Sequence, residues 1–473
     1  MRIRYRILAT AIAMTYGLQS SAQELRTTYF MQTSDLRHEM NPALLDHSYV
    51  SFPLLGNINL GTTGNMGMKK FVYKMQPTWQ GYGINGNDLT TFMHPNVDAA
   101  DFLSGLKENN RMSVNFKMQI LGFAFKAFGG YNSIDVNVRS NTNLCLPKSL
   151  FEFMKTAGER EDYSISKLGA RSESFLELGL GHSHKVNDAW TVGGKLKLLV
   201  GAAYADLDVE NVQLHMGEDQ WHAQGKMTAS SALMGMKVKT SHETDPNNPN
   251  RHRVDDIDTN IDGIGGFGAA VDLGATWKPI DNLTVSASLT DLGAISWKNT
   301  ECMSSAGEWT FDGFEDDVYI GGSKENGKEL GDQFDEIGDD LEDIFSLYYD
   351  GRKSQGHALS ATLHLGAEYA LPMYDKLRFG FLYTSRMAGQ YAWHQGMISA
   401  NIRPVKCLEV SLSGSASTTG VSGGLVLDLH AKRFNFFVGT DCFISKLSKQ
   451  GIPLNKTNNN VSFGFGFPLG SSI

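Results

Sequence analysis

The sequence predicts an all-β protein, a transmembrane antiparallel β-barrel of about 14 strands, with 12 to 16 open because single-chain outer-membrane barrels carry even numbers. Three observations point there. Apolar and polar residues alternate with the period of a strand, charge is confined to one of the two rows, and the runs outlast ordinary soluble strands.

The alternation is clearest in Leu283 to Thr290 (LTVSASLT) and recurs in Leu359 to Ala370, Leu377 to Thr384 and Leu408 to Ser413. Successive strand residues face opposite sides, so an apolar row and a polar row belong to two different solvents. Glu177, Lys195, Lys197, Asp272, Glu368, Arg378, Glu409, Asp428 and Asp441 all fall in the polar row, beside apolar rows such as Leu176, Leu178, Leu180 and Leu196, Leu198, Val200. A Lys or Arg facing lipid at mid-bilayer costs roughly 2 to 4 kcal/mol, which explains its exclusion from a lipid-facing stripe. A soluble sandwich would alternate too, but several runs last about 11 to 15 residues, nearer to tilted membrane strands than to the roughly 5 or 6 of soluble sheets.

The bulk numbers fit. At 473 residues the chain can form one large barrel with long loops, one main domain. The hydrophobic fraction of 41% and mean hydropathy of -0.25 would suit a soluble protein, yet a barrel hides its apolar surface in every second residue. Fifty glycines against twelve prolines suit twisted strands with tight turns. The net charge of -9 argues against a nucleic-acid partner, whose phosphates would be repelled.

Arg2, Arg4 and Arg6 precede the apolar stretch Ile7 to Leu18, and Ser20-Ser21-Ala22 forms a small-residue cleavage site. Residues 1–22 therefore read as a secretory signal cut after Ala22, which implies Sec-dependent export to the cell outer membrane. The apolar core is shorter than the roughly 20 residues that a spanning helix needs. Cys145, Cys302, Cys407 and Cys442 are widely scattered, so they permit disulfides without fixing a pairing and give no metal-ligand spacing.

Short polar turns at Asn187-Asp188, Pro279 to Asn282, Pro372 to Lys376, Pro404 to Lys406 and Ala431 to Arg433 should share the periplasmic face, with Trp190 and Trp277 in its aromatic belt. The last strand, carrying Val461, Phe463, Phe465 and Phe467, returns to that side. The amino-terminal half is less regular, with strand-like runs near Tyr49 to Gly61, Val114 to Phe128, Ile134 to Leu144 and Phe175 to Val186. A slip of apolar phase at Leu121-Gly122 reads as a β-bulge. Two segments break the strand pattern. Pro147 to Ala157 reads as a short amphipathic helix through Leu150, Phe151, Phe153 and Met154. Within an acidic loop insertion at about residues 299–356, Leu330, Phe334, Ile337, Leu341, Ile344 and Phe345 recur at helical spacing, which predicts a helix over Leu330 to Leu347, either a lid or cation-attracting patch or, on the plainer reading, a loop helix packed on the barrel rim.

The stretches YFMQTSDLRHEMNPALLDHSYVSFPLLGNINLG from Tyr29, DLGATWKPIDNLTVSASLTDLGAISW from Asp272 to Trp297, and NNVSFGFGFPLG near the end together resemble an uncharacterised outer-membrane family of Bacteroidota, filed as a domain of unknown function. That family is similar in its barrel to FadL-type long-chain fatty-acid channels and to PorV-type secretion accessories. The resemblance covers nearly all the mature chain, and Asn41-Pro42-Ala43 and Thr290-Asp291-Leu292-Gly293 are its most specific pieces. It implies that residues 23–48, about Glu24 to His47, fold inward as a hatch ahead of a barrel over residues 49–473. It also implies a channel for hydrophobic or small amphipathic solutes, in contact with outer-membrane lipid. The alternative it offers is an interaction scaffold, an accessory of a surface secretion or assembly machine with a protein partner. It supplies no catalytic residues. One departure is the ending Gly470-Ser471-Ser472-Ile473, where such barrels usually end in an aromatic, so that Phe467 has to serve.

Motifs that invite an enzyme fail on context, and no enzyme activity or cofactor is expected. Gly263 to Gly268 matches a dinucleotide fingerprint but leads into an alternating strand. Gly322 to Lys328 begins like a phosphate loop, with Glu329 where magnesium needs Ser or Thr. Gly420-Val421-Ser422-Gly423-Gly424 fits a hydrolase elbow but joins two strands, so a barrel hydrolase ranks last. Asp258, Asn260 and Asp262, followed by Gly263, reproduce half of a calcium loop, and Ala269 stands where the bidentate Glu should be. These three are the metal candidates, with the polar row of a strand as the plainer reading. His182 and His184 continue the row of Leu180 toward a short turn and read as interfacial.

The barrel reading has a direct check. The protein should fractionate with the membrane and run as a compact band on a gel until boiled; recovery as a soluble periplasmic species would sink it.

Overall fold

The computed structural model describes residues 24–51, 57–74, 76, 89–217, 220–233, 236–259, 263–305, 308–311, 346–443 and 458–469. The signal segment, residues 330–345 of the acidic helix, and the calcium candidates Asn260 and Asp262 lie outside them. Among the described residues, fourteen antiparallel strands close into one barrel wall. In chain order they are β1 (Tyr49–Ser51 with Ile58–Gly64), β2 (Asn109–Ala127), β3 (Gly130–Pro147), β4 (Asp162–Lys185), β5 (Trp190–Met216), β6 (Gly266–Ile280) and β7 (Leu283–Ser305). They continue with β8 (Leu347–Ala358 with Thr362–Ala370), β9 (Leu377–Arg386), β10 (Trp393–Val405), β11 (Leu408–Ser417), β12 (Gly420–His430), β13 (Asn435–Thr440) and β14 (Asn459–Pro468). Closure comes where β14 pairs with β1, through Tyr49↔Pro468 and Ile58↔Phe463.

The two rows face as the charges require. On β5, Leu196 and Leu198 are 48% and 47% exposed on the outer skin, whereas Lys195 and Lys197 between them are each 4% exposed and point inward. Glu177, Asp272, Glu409, Asp428 and Asp441 are buried inside in the same way. Leu273, Phe379, Phe381, Ile398, Leu412, Leu427 and Val461 continue the apolar skin around the wall, the signature of a transmembrane barrel. The short turns gather at one end. There Trp190 pairs with Trp277 across β5 and β6, and their outward rings stack with centroids 5.8 Å apart.

The phase slip in β2 is a bulge: pairing with β3 passes from Gln119↔Asn137 to Leu121↔Val136 and leaves Ile120 as the extra residue. The amino-terminal half is more regular than its pattern suggested, since β4 and β5 run for 24 and 27 residues. Beyond the apolar skin the outer solvent becomes water and the pattern inverts. Tyr163, Ile165, Val212 and Leu214 turn inward against Leu150 and Phe153 of the expected helix, found at Lys148–Thr156, while Ser164 and Gln213 face out. A single period rule cannot follow such an inversion.

The acidic insertion is strand at both described ends. β7 continues to Ser305, a short strand follows at Glu308–Phe311, and Leu347, the expected last residue of the helix, instead begins β8, because Leu347 pairs with Ser305. A further hairpin, Met236–Asp245 with Asn248–Thr259, extends the same end.

Placing charge on the skin should separate lipid from water. Leu198→Arg should destabilise the barrel by roughly 2 to 4 kcal/mol in lipid vesicles. Ser164→Arg, exposed beyond the skin, should change stability by less than about 0.5 kcal/mol in the same urea titration.

Candidate functional site: the plugged lumen

Residues 24–48 run inside the wall and are largely buried, with a 3-10 turn at Arg26–Thr28, one helical turn at Arg37–Met40 and a 3-10 turn at Pro42–Leu44. Elements this short cannot satisfy their own backbone, so the inward row of the wall does. The Asp441 carboxylate accepts hydrogen bonds from the backbone N–H groups of Arg26 and Thr27, both at 2.9 Å. Glu409 accepts from the N–H groups of Gln32 at 3.1 Å and Thr33 at 2.9 Å, and Asp428 accepts from the Thr33 hydroxyl at 2.6 Å. In the other direction, the Ser411 hydroxyl donates to the Thr27 carbonyl at 2.9 Å and that of Ser288 to the Met40 carbonyl at 2.6 Å.

Ionisable side chains meet across the same boundary. Lys117 of β2 lies 2.9 Å from Glu39 of the plug, and His38 stands 3.6 Å from Asp135, which Lys195 holds at 2.7 Å. Removing one partner from a buried pair strands a charge at several kcal/mol, so each pair fixes the plug in one position.

The two specific sequence pieces each have a structural task. Asn41 opens the turn at Pro42–Leu44 by accepting from the Ala43 N–H at 3.0 Å. The turn lies so close to the wall that a Cβ at Gly274 would sit 2.1 Å from Asn41 Oδ1, and one at Gly193 would sit 2.4 Å from Ala43 N. Thr290-Asp291-Leu292-Gly293 forms a bulge in β7, where pairing with β6 jumps from Val271↔Leu292 to Leu273↔Leu289. Asp291 adopts φ 59°, a left-handed conformation that Asp tolerates, and its carboxylate turns into the lumen. There it accepts a two-pronged hydrogen bond from Arg139, both contacts at 2.8 Å, and one from Lys197 at 2.7 Å. Lys197 also reaches Asp272 at 2.7 Å, and Arg139 reaches Glu177 at 2.8 Å.

A cavity of about 50 Å³ remains where the plug begins, bordered by Glu24 and Arg26 of the plug and by Lys117, Arg139, Asp291, His364 and Arg386 of the wall. At ~10–15 Å³ per water it holds a few waters or one small ion. Near the opposite end of the plug, both ring nitrogens of His47 meet carboxylates, Asp35 at 2.6 Å and Asp46 at 2.9 Å. Burial alone would lower its pKa, but these two hydrogen bonds and charges outweigh burial and raise it to about 9.

All nine inward charges read from the alternation face the lumen, with Glu368 and Arg378 3.4 Å apart. Lys117, Asp135, Arg139 and Arg386 are lumen groups that the alternating runs do not flag, whereas Asp291 lies in the Thr290-Asp291-Leu292-Gly293 piece, where the break of phase is its signal. Asp258 lies on the exposed hairpin, 2.8 Å from Lys239. Gly266 to Gly268 already belong to β6, and Ser422 lies within β12 with its hydroxyl 2.8 Å from that of Ser415. The four cysteines are free thiols.

A closed wall with an apolar skin, a charged lumen and a bound amino-terminal segment defines a plugged transmembrane β-barrel. The chain belongs to the family of unknown function DUF5723, which matches residues 42–441. No curated protein matches the sequence. Among solved structures it is similar to the Ralstonia pickettii toluene transporter TbuX, with 9% identity, TM-score 0.40, and 92% of this chain and 93% of that chain covered. It is also similar to the Pseudomonas putida toluene transporter TodX (7%, TM-score 0.39, 90% and 92% covered) and to a Pseudomonas aeruginosa FadL homologue (10%, TM-score 0.39, 95% and 97% covered).

Two outcomes follow for the plug. Gly274→Val should unseat the Asn41 turn and make trypsin cleavage after Arg37 about tenfold faster while the wall stays heat-modifiable. Because the folded pKa of His47 is raised, its contribution is fully present below about pH 6.5 and is lost as pH rises through about 9. The plug should therefore loosen between those values by roughly 3 kcal/mol at most, and His47→Gln should flatten that profile when protease sensitivity is followed against pH.

Proposed function

We propose that the protein resides in the outer membrane after removal of residues 1–22 and acts as a channel for small amphipathic solutes, with residues 24–48 as its gate. The observation that carries this reading is the way the lumen is closed. The plug is held by hydrogen bonds and ion pairs that water or a polar solute can replace, and no disulfide ties it down. Within the range of hydrophobic to small amphipathic solutes, the charged lining favours a solute with a polar group, and Trp393 beside the cavity offers its apolar part a surface.

A lock tests the gate. The hydroxyls of Thr27 and Ser413 lie 2.7 Å apart, so Thr27→Cys with Ser413→Cys can be oxidised across the boundary between plug and wall. Oxidised protein in liposomes should take up phenylalanine at least about tenfold more slowly than reduced protein. Equal uptake in both states counts against a gated channel.

The second reading is an interaction scaffold, favoured by the exposed hairpin Met236–Asp245 with Asn248–Thr259, which stands beyond the apolar skin and alternates Lys237 and Lys239 with Asp256 and Asp258 on its partner strand. Reproducible capture of one much larger membrane partner through that hairpin, together with no uptake by the reduced barrel, would favour it.

A further inference from the structure

We propose that the cavity at the start of the plug is a binding subsite for a small carboxylate, and that occupation of this subsite loosens the plug by repelling Glu24. The proposal deepens the channel reading and rests on it for its role, because it names the polar group of the solute and the contact through which that solute would open its own path.

The cations around the cavity are not used alike. Arg26 lies 3.9 Å from Asp441 and stacks over Trp393, Lys117 is paired with Glu39, and Arg139 is shared between Glu177 and Asp291. Arg386 differs. Among the described residues it has no carboxylate within 4 Å, and its hydrogen bond is a long one, from Nη1 to Asn115 Oδ1 at 3.4 Å. A guanidinium presents a planar fork that matches a carboxylate, so an under-used Arg facing a cavity is a ready acceptor site for that group.

The polar atoms nearby point the same way. His364 is 1% exposed and Asn115 is 2% exposed, both border the cavity, and His364 Nε2 and Asn115 Nδ2 have no hydrogen-bond partner. Buried polar atoms left without partners cost on the order of 1–3 kcal/mol each, and a ligand carboxylate satisfies the Asn115 N–H together with Arg386. The volume of about 50 Å³ limits the group to one of acetate size.

Glu24 gives the site its coupling to the plug. Its carboxylate borders the same cavity and lies 3.9 Å from His364 Nε2, too far for a hydrogen bond. A second anion beside it adds like-charge repulsion in a medium of low dielectric. Two residues further on lies Arg26, whose backbone N–H is anchored to Asp441, so displacement of Glu24 pulls on the first anchored turn.

The test uses the full-length barrel in detergent at fixed ionic strength, with sodium acetate as the probe. Acetate binding is measured by titration calorimetry, and plug release by trypsin cleavage after Arg37. Wild-type protein should bind acetate and be cleaved several-fold faster in its presence. Arg386→Gln should lose both responses, with the heat-modifiable band as proof of folding, and Arg386→Lys, which keeps the charge without the fork, should bind several-fold more weakly. Glu24→Gln should bind at least about tenfold more tightly yet lose the acceleration of cleavage. Absence of acetate binding by the folded wild-type barrel, or equal affinity in the Arg386 variants, overturns the proposal. The Thr27–Ser413 lock reports separately on the channel: lock-dependent uptake without acetate binding removes the subsite alone, and acetate binding without any uptake removes the channel alone.

Discussion

A closed strand wall leaves its inward row nowhere to go. Residues such as Lys195, Lys197, Glu177 and Asp272 are kept off the lipid side by the cost of burying charge in hydrocarbon, and closure then seals them into a narrow interior. Each must find a counter-charge or a hydrogen-bond partner inside: these four find theirs on the wall, while the amino-terminal segment supplies partners for Lys117, Glu409, Asp428 and Asp441. The position of the plug, the bulge at Asp291 and the small cavity all follow from that demand for neutral pairing.

The plug is bound accordingly. Its helical turns are too short to be stable alone, and each is completed by the wall: Asp441 at the first turn, Glu409 and Asp428 at Thr33, Ser288 at the end of the Arg37–Met40 turn. The wall depends on the plug in return. Without the plug, Lys117 would lose Glu39 and Asp135 would lose His38. Glycines at positions 193 and 274 let the two surfaces approach to backbone distance, so the fit is steric as well as electrostatic.

Polar cohesion of this kind suits a gate better than an apolar core does. Hydrogen bonds exchanged for bonds to water cost a net of only about 0.5–1.5 kcal/mol each, whereas unpaired charges left behind would cost more. A segment that moves with its partners exchanged for solvent or ligand can therefore leave, and one that moves without such exchange cannot. Under the proposed gating, that exchange would begin at the cavity between Glu24 and Arg386.

The barrel, the facing of its rows, the end that carries the short turns, the bulge in β2 and the helix at Lys148–Thr156 are all legible in the residues. All of these are local: a two-residue or 3.6-residue period can be read from a window of ten residues, and lipid enforces it strongly. Which inward charges meet depends on the folded wall. Arg26 and Asp441 lie 415 positions apart and Arg139 and Asp291 lie 152 apart, brought together by closure and by a left-handed residue in a bulge. The same holds for the inversion of the rows in β4 and β5, where the outer solvent changes from lipid to water along one strand. Alternation fixes which way a side chain faces, while its partner depends on the register of the whole wall and the path of the segment inside it.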